Sequence, residues 1–426
     1  MNSSPRVRGA STAALGIVVF LIGVAAAAAM AFLFFSSQSF VRDRFDPYFF
    51  GEMGKSLARG EGFTAYGTLL KRRSPMYPFF IGATYYLFGG QPRLVQLLQC
   101  VMLGGTCWLV FDMGRRIFNV RTGLIASIAC ALHPLMLRYV ADLHLETLLT
   151  FLFTLTVRST VRFYESPTPA RGVALGLSGA AAALTKAVVM LYPMLFVAAW
   201  IAIRWLRPAQ ARVPGPSWPA IAAIALAMGV VIFPWTIRNY KATGHFVLIS
   251  SGFNDAMLRG FVFSKPDYAL LRRPPYTDGE NETNLWFRSL ARAAGTEFER
   301  DDYETEQVLG REVKRRLAED PGAFVRKSVV GLFTFWYQMT SLKNSVLTGV
   351  LALGAWVLAV IGAARAWRES RPIWLFLLPA IHLNLLLAVL LALGRYSAPV
   401  MPALLVASSY GIDTLLARFF VRPSPH

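Results

Sequence analysis

Long apolar runs recur from one end of this chain to the other, and every second gap between them is rich in arginine. The runs cover residues 13–35, 93–112, 122–139, 142–157, 172–186, 187–203, 217–235, 344–364, 372–394 and 396–416. A helix crosses the hydrocarbon core of a bilayer with roughly 20 apolar residues, so these runs read as about ten transmembrane helices. Counted alternately from an inside N-terminus, the inside gaps hold Arg115, Arg116 and Arg121, then Arg158, Arg162 and Arg171, then Arg204, Arg207 and Arg212. Next come Arg365, Arg368 and Arg371, and finally Arg418 and Arg422. An excess of basic residues in the loops of one side is the positive-inside pattern. It predicts an all-α polytopic membrane protein with both termini cytoplasmic.

Composition agrees. The chain is 55% hydrophobic and only 16% charged, where a soluble protein keeps about a quarter of its residues charged. The net charge of +19 does not point to nucleic acid, because the basic residues stand in small clusters between apolar runs. Cys100, Cys107 and Cys130 all lie inside apolar runs, with no disulfide framework and no metal-ligand spacing. Arg6 and Arg8 precede the first run as in a signal peptide. That run is long enough to span and no cleavage site follows it, so it reads as a retained anchor.

The gaps on the other side are larger. The first, 36–91, belongs with an N-terminal transmembrane region of 1–235; 236–343 forms a small outer, periplasmic domain; 344–426 returns to the membrane. Within the outer segment, Tyr303, Val308, Leu309, Val313 and Leu317 recur at helical spacing up to Asp320-Pro321, which ends that helix. The stretch 328–337, SVVGLFTFWY, is apolar but too short to cross. It is expected to lie flat at the outer interface, where Trp336 and Tyr337 suit the headgroups. His133-Pro134 marks a helix irregularity, and Asn384 a hydrogen-bonded helix contact.

The ionisable groups outside the basic loops gather at one end of the spans. In the first outer loop, Asp43 and Asp46 open the polar stretch and Lys71, Arg72 and Arg73 close it; Tyr48, Met53, Leu57 and Phe63 form an apolar stripe between them. Asp142 and Glu146 begin the fourth span and share a helix face at i and i+4, with His144 on another. Lys186 lies between the fifth and sixth spans, Arg238 follows the seventh, and Arg395 precedes the tenth. Charges at membrane depth are costly and mark function. An outward cavity holding carboxylates and several cations suits a lipid-borne phosphate. Cations stabilise charge on a leaving phosphate, and a carboxylate takes a proton from an attacking hydroxyl. Tyr48, Tyr77, Tyr240 and Tyr396 read first as aromatic-belt residues and second as sugar-stacking surfaces.

In order along the chain come Asp46 with Tyr48, SLARGEGF, RRSPMYPFF with LFGG, HLETLL around Glu146, ALTKAV around Lys186, FPWTIRNYKATG with SSGFNDAMLRG, and RYSAPVMP. With these marks the sequence resembles the GT-C integral-membrane glycosyltransferases. The likeness is to glycosyltransferase family 39, with its protein O-mannosyltransferases and lipid A aminoarabinose transferases. The resemblance implies a GT-C-like bundle with outer-face juxtamembrane helices. It also implies inverting transfer of a sugar from a polyprenyl-phosphate donor to an acceptor hydroxyl on the outer face of the bacterial cytoplasmic membrane. It places the family's first-loop acid on Asp46 as base or acceptor activator, and the phosphate-contacting basic residue before the proline pair on Arg73. The acid opening the fourth span falls on Glu146, and Arg238 and Arg395 fall at positions facing donor phosphate or sugar. Catalytic residues are therefore expected at Asp46 and Glu146. Donor contacts are expected at Arg73, Lys186, Arg238, Arg395, Arg72, Tyr48 and Asp142. No metal and no other cofactor are expected.

The sequence departs from the family in three places. Asp46-Pro47 stands where protein mannosyltransferases carry an acidic pair, Ser74-Pro75 replaces a double proline, and their lumenal repeat domain is absent. These differences favour a bacterial enzyme whose acceptor, a glycan, lipid or protein, is unassigned. A flippase or transporter of polyprenyl-linked lipid is the alternative. It would carry inverted repeats and midplane binding groups; no repeat is visible, and His382 with Asn384 is its best support.

Overall fold

In the computed structural model the described residues are 5–35, 49–65, 68–69, 73–206, 215–296 and 303–420. The chain starts with the long helix α1 (Pro5–Phe35). A short amphipathic helix α2 (Phe50–Ala58) leads to a hairpin of β1 (Thr64–Ala65) and β2 (Thr68–Leu69), and then to α3 (Met76–Phe88). The bundle continues through α4 (Pro92–Ile117), α5 (Val120–Ala131), α6 (Pro134–Ala141), α7 (Glu146–Glu165), α8 (Pro169–Thr185), α9 (Tyr192–Leu206) and α10 (Trp218–Thr243). A group of shorter helices follows, made of α11 (Phe253–Phe263), α12 (Pro266–Ala269), α13 (Glu280–Ala293), α14 (Tyr303–Glu319) and α15 (Pro321–Tyr337). The chain closes with α16 (Leu342–Arg368), α17 (Trp374–Val389), a 3-10 segment Gly394–Val400, and α18 (Met401–Phe420).

Among the described residues, six helices have the length and hydropathy to cross a bilayer, and α5 with α6 makes a seventh if that pair, bent by 47°, is one span. The expected ten included three runs that fall short as single helices. α8 has 17 residues and α17 has 16, while α7 carries Glu146, Arg158 and Arg162 along its length. The bend falls at His133-Pro134, as read from the sequence. His133 caps α6 by accepting the Leu135 N–H at its Nδ1, and Pro134 takes the first helical position, where its missing N–H costs nothing.

Small residues set the closest approaches. A Cβ on Gly172 would stand 2.5 Å from the Ala220 carbonyl oxygen, and one on Gly176 2.5 Å from that of Ile224. α8 and α10 therefore run side by side in the same direction, backbone against backbone, as small residues allow in membranes. Gly362 and Gly411 do the same between α16 and α18.

The two ends of the bundle differ. At one end Asp112 of α4, 1% exposed, takes Arg115 at 2.5 Å, Arg116 at 2.9 Å and Arg158 of α7 at 2.8 Å. Asp413 of α18 takes Arg365 at 3.2 Å and Arg121 at 3.6 Å. The basic loops thus brace one another through buried carboxylates instead of merely lying in solvent. α4 starts and α7 starts at the opposite end, and there Glu146, Lys186 and Arg395 lie.

The expected helix before Asp320-Pro321 is α14. Asp320 then caps α15 by accepting the Ala323 N–H at 2.8 Å. The short apolar stretch 328–337 is the C-terminal part of α15. One face of α15 is buried at Lys327, Gly331, Thr334 and Phe335, while Val325, Val329 and Phe333 are exposed.

Candidate functional site

Four of the sequence-selected side chains share one open-mouthed cavity of about 200 Å³: Arg73, Glu146, Lys186 and Arg395. Each is delivered by the end of an element. Arg73 and Ser74 precede α3; Glu146 is the first residue of α7; Lys186 follows α8; Arg395 opens the 3-10 segment before α18. Thr185, Ser250, Leu145 and the rings of Phe50, Tyr77 and Tyr396 complete the wall. A carboxylate in the first turn of a helix sits in the favourable field of the helix N-terminus. Glu146 is 5% exposed, and its Oε2 accepts no hydrogen bond from any described residue.

The cations are gathered on aromatic faces. Lys186 Nζ lies 3.3 Å from the centre of the Tyr396 ring, and the Arg395 guanidinium lies 4.9 Å from the same ring and 5.4 Å from that of Tyr276. Arg395 also donates to the Tyr396 hydroxyl at 3.0 Å. Among the described residues, the cavity wall therefore carries three cations against one carboxylate. A surplus of positive charge, two of it arginine, fits an anion with several oxygens, such as a phosphate.

The turn that aims Glu146 is held from below by α4. Gln99 donates to the carbonyls of Val140 at 2.8 Å and Asp142 at 3.0 Å, and Gln96 donates to Ala141 at 2.6 Å. Tyr77 donates its hydroxyl to Gln99 Oε1 at 2.9 Å and packs edge-on against Phe50 at 5.0 Å. Neither glutamine was singled out in the sequence. Two amides one helical turn apart inside an apolar run, LVQLLQC, are the signal that could have found them. Tyr77, expected at the membrane interface, is 1% exposed and is part of this support.

Other expectations need correction. Asp142 and Glu146 do not share a helix face, because α6 ends at Ala141 and α7 begins only at Glu146. Asp142 has extended backbone, turns toward Arg138 at 3.8 Å, and does not line the cavity. Arg238 does not line it either. It stacks on Trp235 at 4.7 Å and Phe63 at 5.0 Å, beside a separate groove shared with Lys241. Its neighbours still serve the cavity: Trp235 donates to Ile249 O at 2.8 Å, and Asn239 donates to Val247 O and Ile249 O at 3.0 Å, which fixes the strand of chain reaching Ser250. Asn384 donates to Leu332 O at 3.1 Å, a helix contact as expected. Asp43, Asp46, Tyr48 and Arg72 lie outside the described residues. Among the described residues no three His, Cys, Asp or Glu side chains group as metal ligands.

The fold and this constellation define a multi-pass helical membrane protein with a GT-C-type architecture. Residues 72–236 match the family model described as dolichyl-phosphate-mannose-protein mannosyltransferase. Among solved structures, the Archaeoglobus fulgidus oligosaccharyltransferase AglB, in complex with an inhibitory peptide and a dolichol-phosphate, superposes with a TM-score of 0.57 at 13% identity. It covers 98% of this chain and 53% of its own. The same archaeal enzyme tethered to an acceptor peptide gives a TM-score of 0.59 at 14% identity, over 96% of this chain and 50% of its own. This chain thus spans about half the length of those relatives. ArnT from Cupriavidus metallidurans bound to undecaprenyl phosphate is 14% identical over 98% of this chain and 80% of its own, with a TM-score of 0.41. No curated protein matches the sequence.

Proposed function

We propose that this protein is an inverting glycosyltransferase. It moves a sugar from a polyprenyl-phosphate donor to an acceptor hydroxyl at the outer face of the bacterial cytoplasmic membrane. The observation that carries the reading is the shared cavity: among the described residues, 73, 146, 186 and 395, far apart in sequence, converge with three positive charges and one carboxylate. The archaeal oligosaccharyltransferase that shares the fold holds a dolichol-phosphate in its solved complex, which supports a lipid-phosphate donor here.

Arg73, Lys186 and Arg395 grip the donor phosphate and stabilise the negative charge that grows on it as the glycosidic bond breaks. The acceptor oxygen attacks the anomeric carbon from the opposite side, and its proton passes to a carboxylate, Asp46 by the family resemblance. Glu146, buried beside the cations, keeps them oriented and accepts a hydrogen bond from the sugar. Arg72, Tyr48, Asp142 and Arg238 remain donor-side candidates, the last two acting from outside the cavity.

Purified protein incubated with undecaprenyl- and decaprenyl-phosphate sugars tests the reading, with mass spectrometry of glycolipids and envelope polymers from a deletion strain naming the acceptor. Asp46→Asn and Glu146→Gln should each reduce turnover by about 10²–10⁴-fold while donor binding survives. Near-normal turnover in both variants would remove the mechanism. Donor movement across vesicles with no glycosylated product would replace it with transport.

A further inference from the structure

Four residues of buried, non-helical chain, Leu390, Leu391, Ala392 and Leu393, separate the end of α17 from the segment that carries Arg395. Irregular backbone in an apolar interior needs partners for its carbonyls. Two of these carbonyls take their partners from one face of α15, and that of Leu393 accepts the Tyr396 N–H at 2.9 Å. Lys327 donates its ammonium to the carbonyls of Val389 and Leu390, Thr334 donates to Ala392 O at 3.2 Å, and Gln338 O accepts the Gly394 N–H at 2.8 Å. Gly331, on the same face, admits the backbone of Ala388; a Cβ there would lie 2.8 Å from it. Positions 327, 331, 334 and 338 form one helical stripe.

Lys327 is the unusual member. Its residue is 3% exposed, and no carboxylate pairs with it among the described residues. Its charge rests on the two main-chain carbonyls at the C-terminus of α17, the pole where a cation is favoured, and on the rings of Phe324 at 5.2 Å and Phe261 at 5.5 Å. The residue that caps α15 also holds α11 and α12: Gln338 Nε2 donates to Phe263 O at 3.1 Å and Tyr268 O at 2.9 Å.

We infer that Lys327 is a positioning residue for Arg395. By capping the break after α17 it fixes the path of the crossing and so the place of the Arg395 guanidinium in the cavity, and through α15 it ties that place to α11 and α12. The inference rests on the proposed donor-binding role of Arg395, but its first test does not. Hydrogen–deuterium exchange of the full-length protein in nanodiscs is measured for Lys327→Met and Lys327→Arg. Lys327→Met should speed exchange in peptides covering 390–397 by about tenfold, leave α4 peptides unchanged, and be largely rescued by Lys327→Arg. Uniform acceleration across the chain, or none, would overturn the inference. In the second test, Lys327→Met should raise the donor KM by about tenfold with little change in kcat. It should add less than about twofold in an Arg395→Ala background, because the two act on one interaction. Full additivity would reduce Lys327 to a stability role. If Lys327→Met does not accumulate, Thr334→Val, which removes only the Ala392 bond, should shift exchange and KM in the same direction by about threefold. A wild-type protein that makes no product with any polyprenyl-phosphate sugar would sink the functional reading alone, since the exchange result stands without turnover.

Discussion

Lys186 and Tyr396, 210 positions apart, meet face-on, with the ammonium 3.3 Å from the ring centre. The contact joins the end of α8 to the 3-10 segment before α18. Arg395 stands on the same ring and is tied to its hydroxyl. One tyrosine therefore orders two of the three cations of the cavity.

Tyr396→Leu should loosen both cations at once. A desolvated cation–π contact is worth about 2 kcal/mol, so the Kd for a polyprenyl phosphate should rise by about tenfold or more. Tyr396→Phe, which keeps the ring and loses only the hydroxyl bond, should cost less, about threefold. Isothermal titration in detergent distinguishes the two. Equal losses would show that the ring itself contributes nothing.

Gln99 supports the turn before Glu146 with bonds to two carbonyls and to Tyr77. Gln99→Leu leaves buried polar groups unsatisfied at roughly 1–3 kcal/mol each, so the thermal midpoint should fall clearly. Gln99→Glu, which sets a buried carboxylate oxygen against the Val140 and Asp142 carbonyls, should lose at least as much as Gln99→Leu. Scanning calorimetry or dye-based unfolding reads the order.

Gly176 and Gly229 make opposite predictions on neighbouring helices. A Cβ at Gly176 would come 2.7 Å from Ala227, whereas nothing lies within 4 Å of one at Gly229. Gly176→Leu should destabilise by about 1–3 kcal/mol or prevent accumulation. Gly229→Ala should be neutral or stabilising by about 0.4–1 kcal/mol. Melting of the two purified variants checks the contrast.

In α14, hydrogen bonding from Arg315 holds the Glu312 carboxyl below its ordinary range, with Arg316 adding to the effect against the opposing cost of burial. A folded-state value below the unfolded one means that stability is present above the unfolded value of about 4.3 and is lost as pH falls through the folded one. Protection of α14 amides, corrected for the intrinsic exchange rate at each pH, should therefore fall on acidification below about pH 4.3. Glu312→Gln should remove that dependence. An unchanged acid response in the variant would assign it to other carboxylates.

Much of the architecture was legible in the chain, because membrane insertion acts on local composition. Apolar runs and arginine-rich gaps are properties of contiguous sequence, and so is the break that His133-Pro134 imposes. The fourth, fifth and ninth runs were harder: α7 bears charges along its length and α8 and α17 are short, so their place depends on neighbours rather than on their own hydropathy. Of the candidates chosen by charge, Arg73, Glu146, Lys186 and Arg395 line one wall. Asp142 was misread because spacing of four residues means a shared face only if the helix is continuous, and here it starts four residues later.

Local sequence thus determined which segments enter the membrane, which loops carry arginine, and which ionisable groups lie near one end of the spans. Tertiary packing decided which of those groups meet. Arg238 turned onto Trp235 and Phe63 while Lys186 and Arg395 turned onto Tyr396. Packing also recruited Gln96, Gln99 and Lys327 as partners for bare carbonyls at helix breaks. The reason is physical: a buried carbonyl or cation must find a partner in space, and that partner need not be near in sequence.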